Sequence, residues 1–481
     1  SSDRTPLIGA VRSGYGTTEA SSGARPPKEA IAIGEAHTRW QTEAKLLGRN
    51  SRSLIATFLL QYSLLVTSVF AVGHLGKAEL AAVSLATMTA NITGYAVYQG
   101  LATSLDTLAA QAYGSGRKKL VGVQLQRMTY FLWAITIPII AIWACSTMIL
   151  EAIVPDREIA QLAGTYLRIL TVGAPGYAAF ESGKRFVQAQ GLFSATFYCL
   201  AVCAPLNAAM NYLFVWYLEW GFVGAPLAMS ITQTLLPLCL FCYVYFINGR
   251  ECWGGFDRRA FHNWRPMIGL AIPGLVAFLA EFLAFEILTL AAARLGTTAL
   301  AAQSILTTVM AITFQLPFPI AIGASTRIAN FIGSRLPNAA KVTAMVAMVA
   351  ATVVGLLNAT LLASLTRFIP SLFTQDVEVL DAAANALPVC AALQIFDALA
   401  SNLNGILRGL GRQAIGGYVG IIAFYIVGLP ISFGTGFGLE WGLGGLWTGP
   451  VTGLAVVSVV EAGFICCTSW QRACEDAIQR D

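Results

Sequence analysis

The chain has 481 residues, of which 56% are apolar and only 11% charged, with a formal net charge of +5. Charge at roughly half the density of a soluble domain excludes a water-surrounded globule, and so modest a net charge excludes a nucleic-acid binder. Most of the chain must lie in lipid, where helices satisfy their own backbone groups and open sheets do not.

Residues 1–50 are rich in Ser, Gly, Pro and charge and carry no sustained apolar period, so they are expected to form a disordered cytoplasmic tail. Within it, Glu35 to Asn50 combines Trp40, Leu46 and Leu47 with charges and is expected to lie on the membrane surface. No apolar stretch suited to a cleavable signal precedes residue 50. Asp3, Leu7 and Ile8 fit the spacing of an acidic dileucine-type sorting signal.

Apolar runs then predict twelve spanning helices near 53–75, 81–112, 120–150, 160–188, 194–217, 222–248, 265–293, 299–333, 339–366, 379–409, 414–438 and 442–470. The fold class is all-α, a polytopic membrane protein. Its odd-numbered connections hold only Lys77, Arg157, Arg294 and Arg367 of the 30 Lys and Arg, which predicts that both termini are cytoplasmic. Eight of the ten cysteines fall in apolar runs and are expected to be small packing residues rather than bridges. The sequons at Asn91 and Asn358 also lie inside apolar runs, where glycosylation is not expected.

The phrase Leu218-Glu219-Trp220-Gly221 returns 221 positions later as Leu439-Glu440-Trp441-Gly442, and Leu75-Gly76 with Leu80-Ala81-Ala82 returns at Leu295-Gly296 with Leu300-Ala301-Ala302. A duplicated six-helix unit follows, with bundles over 51–248 and 265–470, a cytoplasmic linker over 249–264 and a C-terminal tail over 471–481. Because six is even, both copies cross the membrane in the same sense, related by a pseudo-two-fold axis along the membrane normal. Such duplications hold cargo at the bilayer midplane.

Several motifs carry a family resemblance: Gln61-Tyr62-Ser63, Gly73-His74-Leu75-Gly76, Leu105-Asp106-Thr107-Leu108 through Gly114, Gln126-Arg127, Ala324-Ser325-Thr326-Arg327 through Gly333, and Leu407-Arg408-Gly409-Leu410-Gly411. In this order they resemble the multidrug and toxic compound extrusion (MATE) family, and within it the eukaryotic, fungal members. The resemblance implies export of organic cations or other small molecules in exchange for protons, with sodium the less expected coupling ion. It also implies that Glu281, Glu286 and Asp397 form the proton-coupling and substrate site, although Phe282-Leu283 stands where the family often has two Trp. For fungal relatives the tail pattern implies the vacuole, with the plasma membrane the alternative.

The residues support that chemistry independently. A charged carboxylate at a helix centre costs about 2.5–3.5 kcal/mol on insertion scales, so Glu281 must be protonated or face a wet cavity. A shift of 220 places Gln61 opposite it in the repeat, an amide that cannot titrate, which predicts that proton exchange is concentrated in the second half. Glu286 lies about 140° further round the helix and need not share the cavity. Asn402 and Asn404 are candidate hydrogen-bond partners of Asp397; Gln61, Phe282, Phe285, Gln303, Asn330 and Asn402 are candidate cavity-lining residues.

The only histidines, His37, His74 and His262, are far apart, and no metal or cofactor motif is present, which argues against an enzyme. The chain is therefore expected to act as a monomeric antiporter for a small organic cation, with no cofactor and no partner but the bilayer. A lipid flippase or a sodium-coupled exporter is the alternative.

Overall fold

The computed structural model describes residues 39–154 and 156–480; Asp3, Leu7 and Ile8 lie outside them. Among the described residues, eleven helices are long and apolar enough to cross a membrane. The fourth expected span, 160–188, is instead two shorter helices, Arg157–Leu170 and Ala174–Ala189, joined by a tight turn in which Thr171, Val172 and Gly173 N–H groups bond back three residues. Glu181, Lys184 and Arg185, on the second of these helices, are buried. At Gly176 an added Cβ would stand 2.6 Å from the carbonyl oxygen of Gln233, so only glycine permits that approach.

The described chain forms two compact units, one of Arg52–Tyr113 with Arg117–Ala271, the other of residues to Ser51, Gly114–Gly116 and Ile272–Asp481. The duplication is visible inside each. In the first, a wide π-type turn over Tyr212–Tyr217 leads to Glu219 at φ 54° and Gly221 at φ 58°. In the second, Gly434–Gly438 leads to Glu440 at φ 54° and Gly442 at φ 61°. The closing bonds correspond as well: Leu218 and Trp220 N–H donate to Leu213 and Phe214 carbonyls, while Leu439 and Trp441 donate to those of Gly434 and Thr435. A left-handed glutamate costs about 1–2 kcal/mol, and the same strained residue recurs in both copies.

Residues 40–50 are continuous with the first span, in one helix Trp40–Gly73. A buried ion pair anchors this part of the helix: Glu43 is fully buried, its carboxylate accepts from the Arg327 guanidinium, and Thr343 Oγ1 donates to it at 3.2 Å. Leu47 packs with Ile320 and Ala324 beside that pair. Charges that look solvent-directed in sequence are thus satisfied inside the fold.

The linker is ordered by the third span, Lys118–Ala144. Gln126 Nε2 donates to Gly255 O at 2.8 Å, Gln126 Oε1 accepts from Asp257 N at 3.1 Å, and Arg127 donates to Arg259 O. The side chain and backbone N–H of Arg259 hold the Asp257 carboxyl below its ordinary range. All ten cysteines are free thiols.

Candidate functional site

The second unit places three acids together. Glu281 lies on the seventh span, Arg265–Arg294; Asp397 on the tenth, Val377–Leu410; and Glu461 on the twelfth, Gly442–Cys467. Glu281 acts electrostatically on both of the others. Asp397 and Glu461 are buried, Glu281 half-buried.

Local sequence explains how these carboxyls are held. Asp376 caps the tenth span by accepting from the N–H groups of Glu378 and Val379, and Gly405 and Gly409, one turn apart, let that span meet the eighth. A Cβ on Gly405 would stand 2.7 Å from Ala321 O. The eleventh span, Gln413–Gly438, meets the seventh through Gly417, and Tyr425 Oη donates to the carbonyl of Ala280 at 3.0 Å, fixing the residue next to Glu281. On the other side of Gly416, an added Cβ would stand 3.5 Å from Glu461 Oε1 and collide with Asn404 Oδ1.

The three acids lack compensation. Among the described residues, none of them has an ion-pair partner, and neither oxygen of Glu461 meets a hydrogen-bond donor. Arg408, on the tenth span, is the cation that acts on Glu461. The first unit is built the other way. Asp106 pairs with Arg185 at 3.1 Å and Glu181 with Lys184 at 2.6 Å, all four side chains buried. Both halves bury acids, but the first neutralises its own.

Of the expected site residues, Glu281 and Asp397 are brought together. Glu286 stands apart, half-buried and without charge interaction to Asp397 or Glu461 among the described residues. Asn402 and Asn404 do not bond Asp397; their amides donate to Ala398 O and Ala400 O of their own helix, and the buried Asn402 Oδ1 has no partner among the described residues. Gln303 joins helices rather than lining a cavity: its Oε1 accepts from Trp447 Nε1 at 2.8 Å and its Nε2 reaches Thr289. Phe285 packs into the apolar core against Trp447, 5.9 Å between ring centres. Phe282 is exposed and stacks on Phe278. Asn330 is buried where the backbone of Gly114 closes on it, away from the acids. Gln61 belongs to the other unit, half-buried, with Oε1 unpartnered among the described residues.

Glu461 was missed from sequence. It sits in Val459-Val460-Glu461-Ala462-Gly463, and a lone acid in a 26-residue apolar span is the same signal that singled out Glu281. A buried aromatic and amide group in the first unit was missed too. There Gln99 Nε2 donates to Tyr177 Oη and Gln233 Nε2 to Tyr95 Oη, with the two tyrosine rings 4.6 Å apart.

The MatE family profile matches residues 53–213 and again 273–433, the second beginning 220 positions after the first. The chain belongs to the MATE family. It is 41% identical over 447 residues to the uncharacterized transporter YDR338C of Saccharomyces cerevisiae, aligning over 92% of this chain and 64% of the length of that protein. Multidrug and toxin extrusion protein 2 of Mus musculus is 33% identical over 414 residues, 86% of this chain and 72% of its own. The crystal structure of the eukaryotic MATE transporter AtDTX14 superposes with a TM-score of 0.87 at 28% identity, covering 92% of this chain and 99% of that one. This MATE chain is accordingly a multi-pass integral membrane transporter and not an enzyme.

Proposed function

We propose that this transporter exports organic cations in exchange for protons by alternating access, with Glu281 as the carboxyl for which the two compete and Asp397 as its neighbour. The observation that carries this reading is the electrostatic pairing of the half-buried Glu281 with the buried Asp397, neither with an ion-pair partner among the described residues. Two like charges acting on each other in a poorly solvated site resist joint ionisation, so the pair retains a proton until a cation supplies the missing positive charge. Arrival of an organic cation then favours the ionised form and expels the proton; reprotonation expels the cation. The first unit offers no equivalent, because Asp106 and Glu181 already have permanent partners in Arg185 and Lys184.

The distribution of basic residues supports cytoplasmic termini, and membership of a family that includes toxin extrusion proteins supports export away from the cytoplasm, across either the vacuolar or the plasma membrane. The decisive experiment reconstitutes the purified protein in vesicles and follows a fluorescent organic cation under an imposed pH gradient. Wild type is expected to accumulate the dye and Glu281→Gln to show none above protein-free vesicles. Accumulation driven only by a sodium gradient would overturn proton coupling, and movement of a lipid analogue without movement of the dye would establish a flippase.

A further inference from the structure

Glu461 is completely buried, and neither carboxylate oxygen has a donor among the described residues. A buried acid without donors is expensive, and a leucine or glutamine would occupy the same space at lower cost, so packing does not account for it. Its surroundings are specific. Glu281 acts on it from the seventh span and Arg408 from the tenth, while the eleventh presents Gly416, leaving room that Asn404 shares.

Order along the tenth span gives this placement a direction. Asp397, Asn404 and Arg408 rise along one helix over about 16 Å, and Gly411, at φ 72°, ends that helix just beyond Arg408. Glu461 stands at the level of Asn404, between the acid pair and the end of the span.

We infer that Glu461 is a proton relay, receiving the proton that Glu281 gives up and passing it toward the Arg408 end of the tenth span. This rests on the proton-exchange reading above. In the first step the O–H bond of the Glu281 carboxyl breaks and one forms on Glu461, so Glu281 becomes anionic, Glu461 neutral, and the total charge is unchanged. In the second the proton leaves Glu461 for water, and the restored carboxylate faces the Arg408 guanidinium.

The test compares wild type, Glu461→Gln and Glu461→Leu in vesicles, with Glu281→Gln alongside. A relay variant should bind a fluorescent organic cation within about twofold of wild type and exchange dye for dye, while gradient-driven accumulation falls about tenfold or more. Gradient-driven accumulation at the wild-type rate and with the wild-type pH profile would overturn the relay. Wild-type behaviour of Glu281→Gln would instead defeat the exchange reading itself, so the two failures are distinct. Should neither Glu461 variant assemble, infrared difference spectra of wild type on adding the cation decide. Recorded with time resolution, a relay shows a second carboxyl protonated transiently as the first loses its proton, whereas loss with no transient gain overturns it.

Discussion

The buried ion pair Glu181–Lys184 gives a sharp test of the contrast between the two units. Lys184 Nζ lies 2.6 Å from Glu181 Oε1, both side chains are essentially inaccessible, and Nζ also stands 5.6 Å from the centre of the Phe58 ring and 5.9 Å from that of Phe180. At an effective dielectric constant of about 20, a contact of this length corresponds to roughly 6 kcal/mol of attraction, set against desolvation of several kcal/mol per ion. The net value of the pair is therefore small, whereas stranding one member is costly. Lys184→Met or Glu181→Gln alone should each destabilise by about 3–5 kcal/mol, and the double substitution by much less. Thermal unfolding of the purified protein in detergent measures this as a thermodynamic cycle, with the double variant recovering more than half of the midpoint lost by either single one. Additive losses would refute the reasoning, because they would mean that the two charges are not each other's compensation.

Other outcomes follow from packing and hydrogen bonds. Trp447→Phe strands the buried Gln303 Oε1 and should lower stability by about 1–3 kcal/mol, read from the unfolding midpoint, with proton-driven transport retained in the folded fraction. Gly405→Val forces a side chain against the Ala321 carbonyl and should reduce stability by about 1–3 kcal/mol, seen as a lower yield of monodisperse protein. Gln126→Ala removes two bonds holding residues 255–257, so limited proteolysis should cut the linker about fivefold faster or more, without change at other sites. The Asp257 carboxyl, depressed by Arg259, contributes to the linker turn above the ordinary carboxylate range; that contribution is lost as pH falls through its lowered value, so linker cleavage should rise only in acid.

Much of this fold was legible in the sequence, for physical reasons. Lipid imposes length and apolarity on every span, and duplication repeats its own words, so Leu218-Glu219-Trp220-Gly221 and its copy mark the same strained turn twice. Glu281 was legible because an acid in an apolar run is costly wherever it points. What was not legible depended on partners distant in sequence. Glu43 looked like a surface charge because its partner Arg327 lies 284 residues away. Gln303 looked equally suited to lining a cavity or joining helices until Trp447, 144 residues on, settled the matter. Within 160–188 the pairing of Glu181 with Lys184 is local, but the partner of Arg185 is Asp106, 79 residues away, which no local pattern shows. Asn402 and Asn404 looked like partners for Asp397, but each donates instead to the carbonyl one turn back on its own helix.

Competition between a proton and a cation for one carboxyl is measured most directly as proton release on binding, without any membrane. Purified wild type, titrated with an organic cation in two buffers of different ionisation enthalpy, should release about one proton per cation bound near neutral pH, and Glu281→Gln none. Cation binding of equal affinity in both proteins with no proton released by either would contradict the exchange at Glu281.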